Sequence, residues 1–139
     1  MTPEQEGQLQ AINVQVNAIP YNETPGKGEP PDWWSDEPVA GNSWVCRDYT
    51  LMKADKLKAL GWQASELTEV FCWVEPEGNP PVRGYHAVLA VSLDGECWIL
   101  DSRFDPIYKP SDPSADYLWD KQQIVGTTDF RSLEGGLPV

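Results

Sequence analysis

Gly84–Asp101, GYHAVLAVSLDGECWILD, reads as two β-strands joined at Asp94-Gly95, a dipeptide that fits a two-residue hairpin turn. That turn fixes the register: Leu93 stands opposite Glu96, Val91 opposite Trp98, and Val88 opposite Asp101. His86 is two residues from Val88, so it projects from the same sheet face as Asp101, one diagonal step away. Diagonal neighbours have Cβ atoms roughly 7 Å apart, within reach of a His–carboxylate hydrogen bond. A slip of one residue would put Asp101 on the other face. The hairpin therefore predicts both a sheet and a pair of polar side chains upon it.

Working upstream, Leu67 to Val74 (LTEVFCWV) is apolar on both faces and reads as a central strand. Residues 75–82 form a Pro/Gly/Asn loop. Cys46 to Leu60 is helical, with Tyr49, Met52, Leu57 and Leu60 as an apolar stripe and Lys53, Lys56 and Lys58 toward the outer side. Gly61 is its stop. Residues 20–43 are rich in Pro, Gly, Asn and Asp and read as a long loop, a feature uncommon in compact domains unless it has a task. Trp33 and Trp34 lie within it. Thr2-Pro3-Glu4 starts a first helix, Leu9, Ile12, Val16 and Ile19 recur along it, and Pro20 ends it. Downstream, Pro113–Trp119 reads as a short helix, Gln123–Thr127 as a strand, and 133–139 as a loose end. Helices grouped before an antiparallel sheet make an α+β layout.

The 139 residues fit one domain, 1–139, long enough to bury a core without disulfides or metal. A formal net charge of −12 argues against nucleic acid and against an anionic membrane, which favour clustered Lys and Arg. No apolar run approaches membrane-spanning length, and MTPEQEGQLQ has neither the basic start nor the apolar centre of a signal peptide. The expectation is a monomer, cytoplasmic or virus-encoded. Three cysteines, an odd number, read as reduced thiols, and one histidine with no Cys-x-x-Cys pair speaks against zinc.

Cys46 in SWVCRDYT falls at a helix start, where unpaired N–H groups and the helix dipole favour a thiolate. The plainer reading is a small buried hydrophobe, and for Cys72 and Cys97, inside apolar strands, that reading wins. A cysteine nucleophile needs a base, and His86 is the one histidine available. Asp101 would orient it and stabilise the imidazolium. The structural alternative for Asp101 is a salt bridge to Arg103 or Arg83. Acyl transfer also needs oxyanion donors; the Cys46 N–H and the Trp34 indole are candidates, with Trp44 and Tyr85 as further groove residues. Trp33 and Trp34 read equally well as apolar lids.

The order Cys, His, Asp resembles the transglutaminase/papain-like superfamily, and more narrowly the bacterial transglutaminase-like cysteine proteinases. Five fragments carry the resemblance: LQAINVQVNAIPY, DWW, VCRDYTLMKADKLKALGW, GYHAVLAV and CWILDSR. It implies a helix-borne nucleophile packed on an antiparallel sheet, catalytic Cys46, His86 and Asp101, no cofactor, and a protein or peptide substrate. The best-studied relatives of this kind are periplasmic proteases that release biofilm adhesins. They carry acidic residues on both sides of the nucleophile, part of a calcium site. Val45 and Arg47 stand there in this chain and only Asp48 remains, so no calcium site of that kind is expected, and Arg47 is expected to pair with Asp48 or to favour the Cys46 thiolate. The leading expectation is a cysteine peptidase or amidase acting through a thioester. A transglutaminase or deamidase would use the same residues, and a non-catalytic module binding protein through its tryptophans is the rival of another class. A peptidoglycan amidase of the NlpC/P60 kind ranks last, since its third member is usually a second histidine.

Overall fold

The computed structural model describes residues 1–19, 43–77 and 82–139, with the side chains of residues 43–45, 75–77, 82 and 83 outside the description. The first helix, α1 (Pro3–Asn17), begins where Thr2 and Gln5 cap each other reciprocally. It buries Leu9, Ile12 and Val16, the predicted stripe. It ends at Asn17, before Ile19. The second helix, α2 (Ser43–Ala59), starts three residues ahead of the predicted Cys46. The Tyr49 hydroxyl donates to the Ile19 carbonyl at 2.6 Å, and the Trp62 indole donates to Gln8 at 2.9 Å, tying the helices together.

Two expectations for α2 are corrected. Lys53, placed on the outer side, is 1% exposed, and Leu60, placed in the stripe, is 52% exposed. Seven residues are close to two full turns, so Lys53 shares the inward face of Cys46. Leu60 lies beyond the end of the helix, next to Gly61 at φ +101°, where the chain turns away.

Five strands follow: β1 (Leu67–Glu77), β2 (Val82–Leu93), β3 (Glu96–Leu100), β4 (Leu118–Gln123) and β5 (Phe130–Ser132). They form one antiparallel sheet in the order β3-β2-β1-β4-β5. The predicted central strand is central. Both strands flanking residues 78–81 run further than the sequence suggested, β1 to Glu77 and β2 from Val82. The hairpin has the predicted register, Leu93 opposite Glu96 and Leu89 opposite Leu100. Asp94 and Gly95 supply the two positive φ angles that its turn requires, 54° and 81°.

Alternation along β2 divides the core. Leu89 and Val91 pack with Leu9, Val16 and Leu57 of the helices, whereas Val88 and Ala90 join Val70, Cys72 and Leu133 on the other face.

The C-terminal third departs from its reading. Only Pro113–Ala115 is helical, a 3-10 turn capped by Asp112, after which Asp116 adopts a left-handed φ of 51° and releases the chain into β4. The strand expected at 123–127 is β4, five residues earlier; Gly126 at φ +78° belongs to the turn beyond it, where Ile124 and Val125 are exposed. The end at 133–139 is not loose. Leu133 is buried, and Val139 both donates to and accepts from the Gln122 side chain at 3.1 and 2.7 Å. Among the described residues no helix is long and apolar enough to cross a membrane.

Candidate active site

Cys46 sits at the end of the first turn of α2, within reach of the positive end of the helix dipole. Its Sγ is 2.9 Å from His86 Nδ1. On the other side of the ring, His86 Nε2 is 2.7 Å from Asp101 Oδ1. The hairpin register thus brings together the diagonal pair that the sequence predicted, and the thiol completes a line of three. His86 is 5% exposed and Asp101 is fully buried.

The electrostatics follow from that burial. Loss of water pushes the imidazole pKa down, but the Asp101 charge, its hydrogen bond and the contact with Cys46 outweigh it, leaving His86 pushed up to about 9. Burial likewise pushes the Asp101 carboxyl up, and His86 and Arg103 together reverse this, holding it well below the usual carboxylate range.

The alternative partner for Asp101 is also present. Arg103 donates through Nη2 at 2.9 Å and Nε at 3.1 Å to Oδ2, and through its backbone N at 2.9 Å to Oδ1. A partner the sequence reading missed is Tyr117, whose hydroxyl donates to Oδ2 at 2.8 Å. Helix α1 secures the turn that follows: Asn17 Nδ2 donates to the Asp101 and Phe104 carbonyls, and Asn13 Nδ2 to those of Phe104 and Asp105. Two asparagines one turn apart on an otherwise apolar face were the available signal.

Other candidates fare differently. Trp34 lies outside the described residues, as does the Trp44 side chain. Tyr85 stacks on Phe71 at 5.3 Å, and its hydroxyl donates to Asp120. Cys72 is buried, with its thiol directed at the His86 carbonyl and its pKa pushed up by burial. Because α2 begins at Ser43, the Cys46 N–H falls where intrahelical bonding starts. It is a weaker oxyanion donor than a helix starting at Cys46 would provide. Lys53 lies behind the site: burial pushes its amine down to about 7, against the upward pull of Asp101 and Cys46.

Arg47 pairs with Glu69, a partner the sequence reading did not name. Its Nε is 2.7 Å from Oε1, and the guanidinium lies 4.9 Å from the Phe71 ring centre. A buried cation already matched to the nearby carboxylate does not suit a calcium ion, which needs several free oxygen ligands. Among the described residues no three His, Cys, Asp or Glu side chains converge as ion ligands.

A helix-borne thiol against an imidazole on an antiparallel sheet places the molecule among the papain/transglutaminase-like cysteine peptidases. The chain belongs to the bacterial transglutaminase-like cysteine proteinase family, whose sequence model matches residues 1–133. No curated protein sequence matches it. Its fold is similar to that of Legionella pneumophila LapG in the calcium-bound form, at TM-score 0.61 and 21% identity over 96% of this chain and 71% of that one. LapG treated with EGTA aligns at TM-score 0.54 and 20% identity, covering 92% and 72% of the two chains. A further LapG structure aligns at 0.53 and 22%, covering 84% and 64%.

Proposed function

We propose that Cys46, His86 and Asp101 together cleave peptide or amide bonds in a protein substrate through a thioester intermediate. The observation that carries this reading is the unbroken line of contacts, 2.9 Å from thiol to imidazole and 2.7 Å from imidazole to carboxylate. Cys46 gives its proton to His86 Nδ1, and the thiolate adds to the carbonyl carbon. The tetrahedral adduct collapses, the C–N bond breaks, and the imidazolium returns its proton to the departing amine. Water, deprotonated by the same nitrogen, then adds to the thioester and releases the acid and the thiol. Asp101 holds the ring with Nε2 protonated and Nδ1 toward sulfur. Family membership supports water, rather than an amine, as the acceptor.

The test is alkylation by iodoacetamide, read at each cysteine by mass spectrometry. Cys46 should label at neutral pH well ahead of Cys72 and Cys97, and His86→Ala should slow it. Equal rates at all three cysteines would refute the reading and leave a binding module on the same fold.

A further inference from the structure

The Asp101 carboxylate accepts from every side. Oδ1 takes His86 Nε2 and the Arg103 backbone N–H; Oδ2 takes the Arg103 guanidinium and the Tyr117 hydroxyl. A carboxylate has about four lone-pair sites, so one contact belongs to the imidazole and the rest to residues outside the line of three. Those residues are themselves held. Arg103 Nη2 also donates to the Ala115 carbonyl at 3.2 Å, and the guanidinium lies 4.5 Å from the Phe104 ring centre and 5.5 Å from that of Tyr117. The Tyr117 ring stacks on Trp119 at 4.4 Å, and the Trp119 indole donates to the Pro110 carbonyl at 3.1 Å. The chain leaves β3, bridges back through Tyr108 to Ile99, and turns at Asp116 to bring Tyr117 onto the carboxylate it left behind.

We propose that Arg103 and Tyr117 are positioning residues: they hold the Asp101 carboxylate ionised and turned toward His86, and through it fix the imidazole that faces Cys46. This rests on the catalytic reading above. A carboxylate with only the imidazole as partner could rotate, and the ring would lose its fixed tautomer. With Oδ2 held by three donors, Arg103 Nε and Nη2 and the Tyr117 hydroxyl, and Oδ1 by a backbone N–H, rotation breaks four bonds besides the one to the imidazole. Burial makes such breakage costly, because no water replaces the lost donors.

His86 is the one histidine in the chain, so its imidazole NMR signals need no assignment. Solvent exchange of the Nε2 proton and the rate of Cys46 alkylation by iodoacetamide at pH 7 are measured in Tyr117→Phe, Arg103→Gln, Arg103→Lys and Asp101→Asn. Tyr117→Phe removes one oxygen and keeps the stack on Trp119, so the fold is retained. Both Tyr117→Phe and Arg103→Gln should speed Nε2 proton exchange and slow alkylation by about tenfold, with Arg103→Lys intermediate. A lowered Tm with unchanged exchange and alkylation would make the two residues structural only and overturn the inference. Asp101→Asn separates the two claims. If it slows alkylation while the Tyr117 and Arg103 variants do not, the inference fails alone; if it labels like wild type, the role given to Asp101 fails with it.

Discussion

Glu69→Leu tests whether the Arg47–Glu69 pair is a structural necessity beside the thiol. The two side chains are 1% and 0% exposed and 2.7 Å apart, so no water can take over when the carboxylate is removed. Removing one member of such a buried, hydrogen-bonded pair costs about 3–5 kcal/mol. For a chain of this length that corresponds to a fall in Tm on the order of 10–20 °C. Urea unfolding followed by tryptophan fluorescence reads the cost directly. Arg47→Met combined with Glu69→Leu should recover to within about 1 kcal/mol of wild type, because an apolar pair of similar volume fills the space with no charge to solvate. The pH dependence is a second check. Burial pushes Glu69 up to about 8, with Arg47 pulling it back in part. An acid whose folded pKa is raised stabilises fully below its unfolded value near 4.5 and loses that contribution as pH climbs toward 8. Glu69→Gln should flatten that decline. A single Glu69→Leu cost below about 1 kcal/mol, well under the range for a broken buried pair, would refute the reasoning.

Lys53→Met should raise stability at pH 6 and leave it nearly unchanged above pH 10.5, because an amine held down to about 7 withholds stability until pH passes its unfolded value; denaturation at several pH values reads this. His86 should titrate by NMR near pH 9, and Asp101→Asn should lower the midpoint, since the carboxylate charge that opposes burial is gone and the contact with Cys46 alone still holds the imidazole up. Leu57→Ala, at a fully buried position between the helices and the sheet, should cost about 2–5 kcal/mol in the same unfolding assay.

What was legible in the sequence depended on local rules. Asp94-Gly95 prescribes its own turn, the turn prescribes register, and register places His86 beside Asp101. The mostly apolar run 67–74 announced a central strand, although it carries Glu69, whose buried carboxyl group is met by Arg47. Contacts between distant segments had no such rule. Lys53 looked solvent-facing because lysines usually are, yet its position two turns from Cys46 decided its direction. Tyr117 lies 16 residues from Asp101, and the path joining them depends on a left-handed Asp116 that composition does not flag. Ile124 and Val125 drew a strand to themselves by propensity, while the sheet took Leu118–Gln123, where β1 and β5 offered partners on both sides. Arg47 was correctly seen to break the acidic flank of the thiol, but its partner on a strand 22 residues away was invisible.

That last pairing bears on calcium. LapG has been seen both calcium-bound and after EGTA treatment. In this chain the residue following the thiol is a buried guanidinium, and the carboxylate near it is already taken. A dication brought there would meet a fixed positive charge in a low-dielectric setting, where like charges repel strongly. It would also have to strip Glu69 from Arg47. Neither cost is offset by a converging set of oxygens among the described residues. Arg47 itself puts a buried positive charge next to Cys46. Cys46 alkylation and thermal stability should be the same in excess EGTA as in excess calcium chloride. A loss of labelling on chelation, restored by calcium, would show that Arg47 does not replace the ion and that ligands lie elsewhere in the chain.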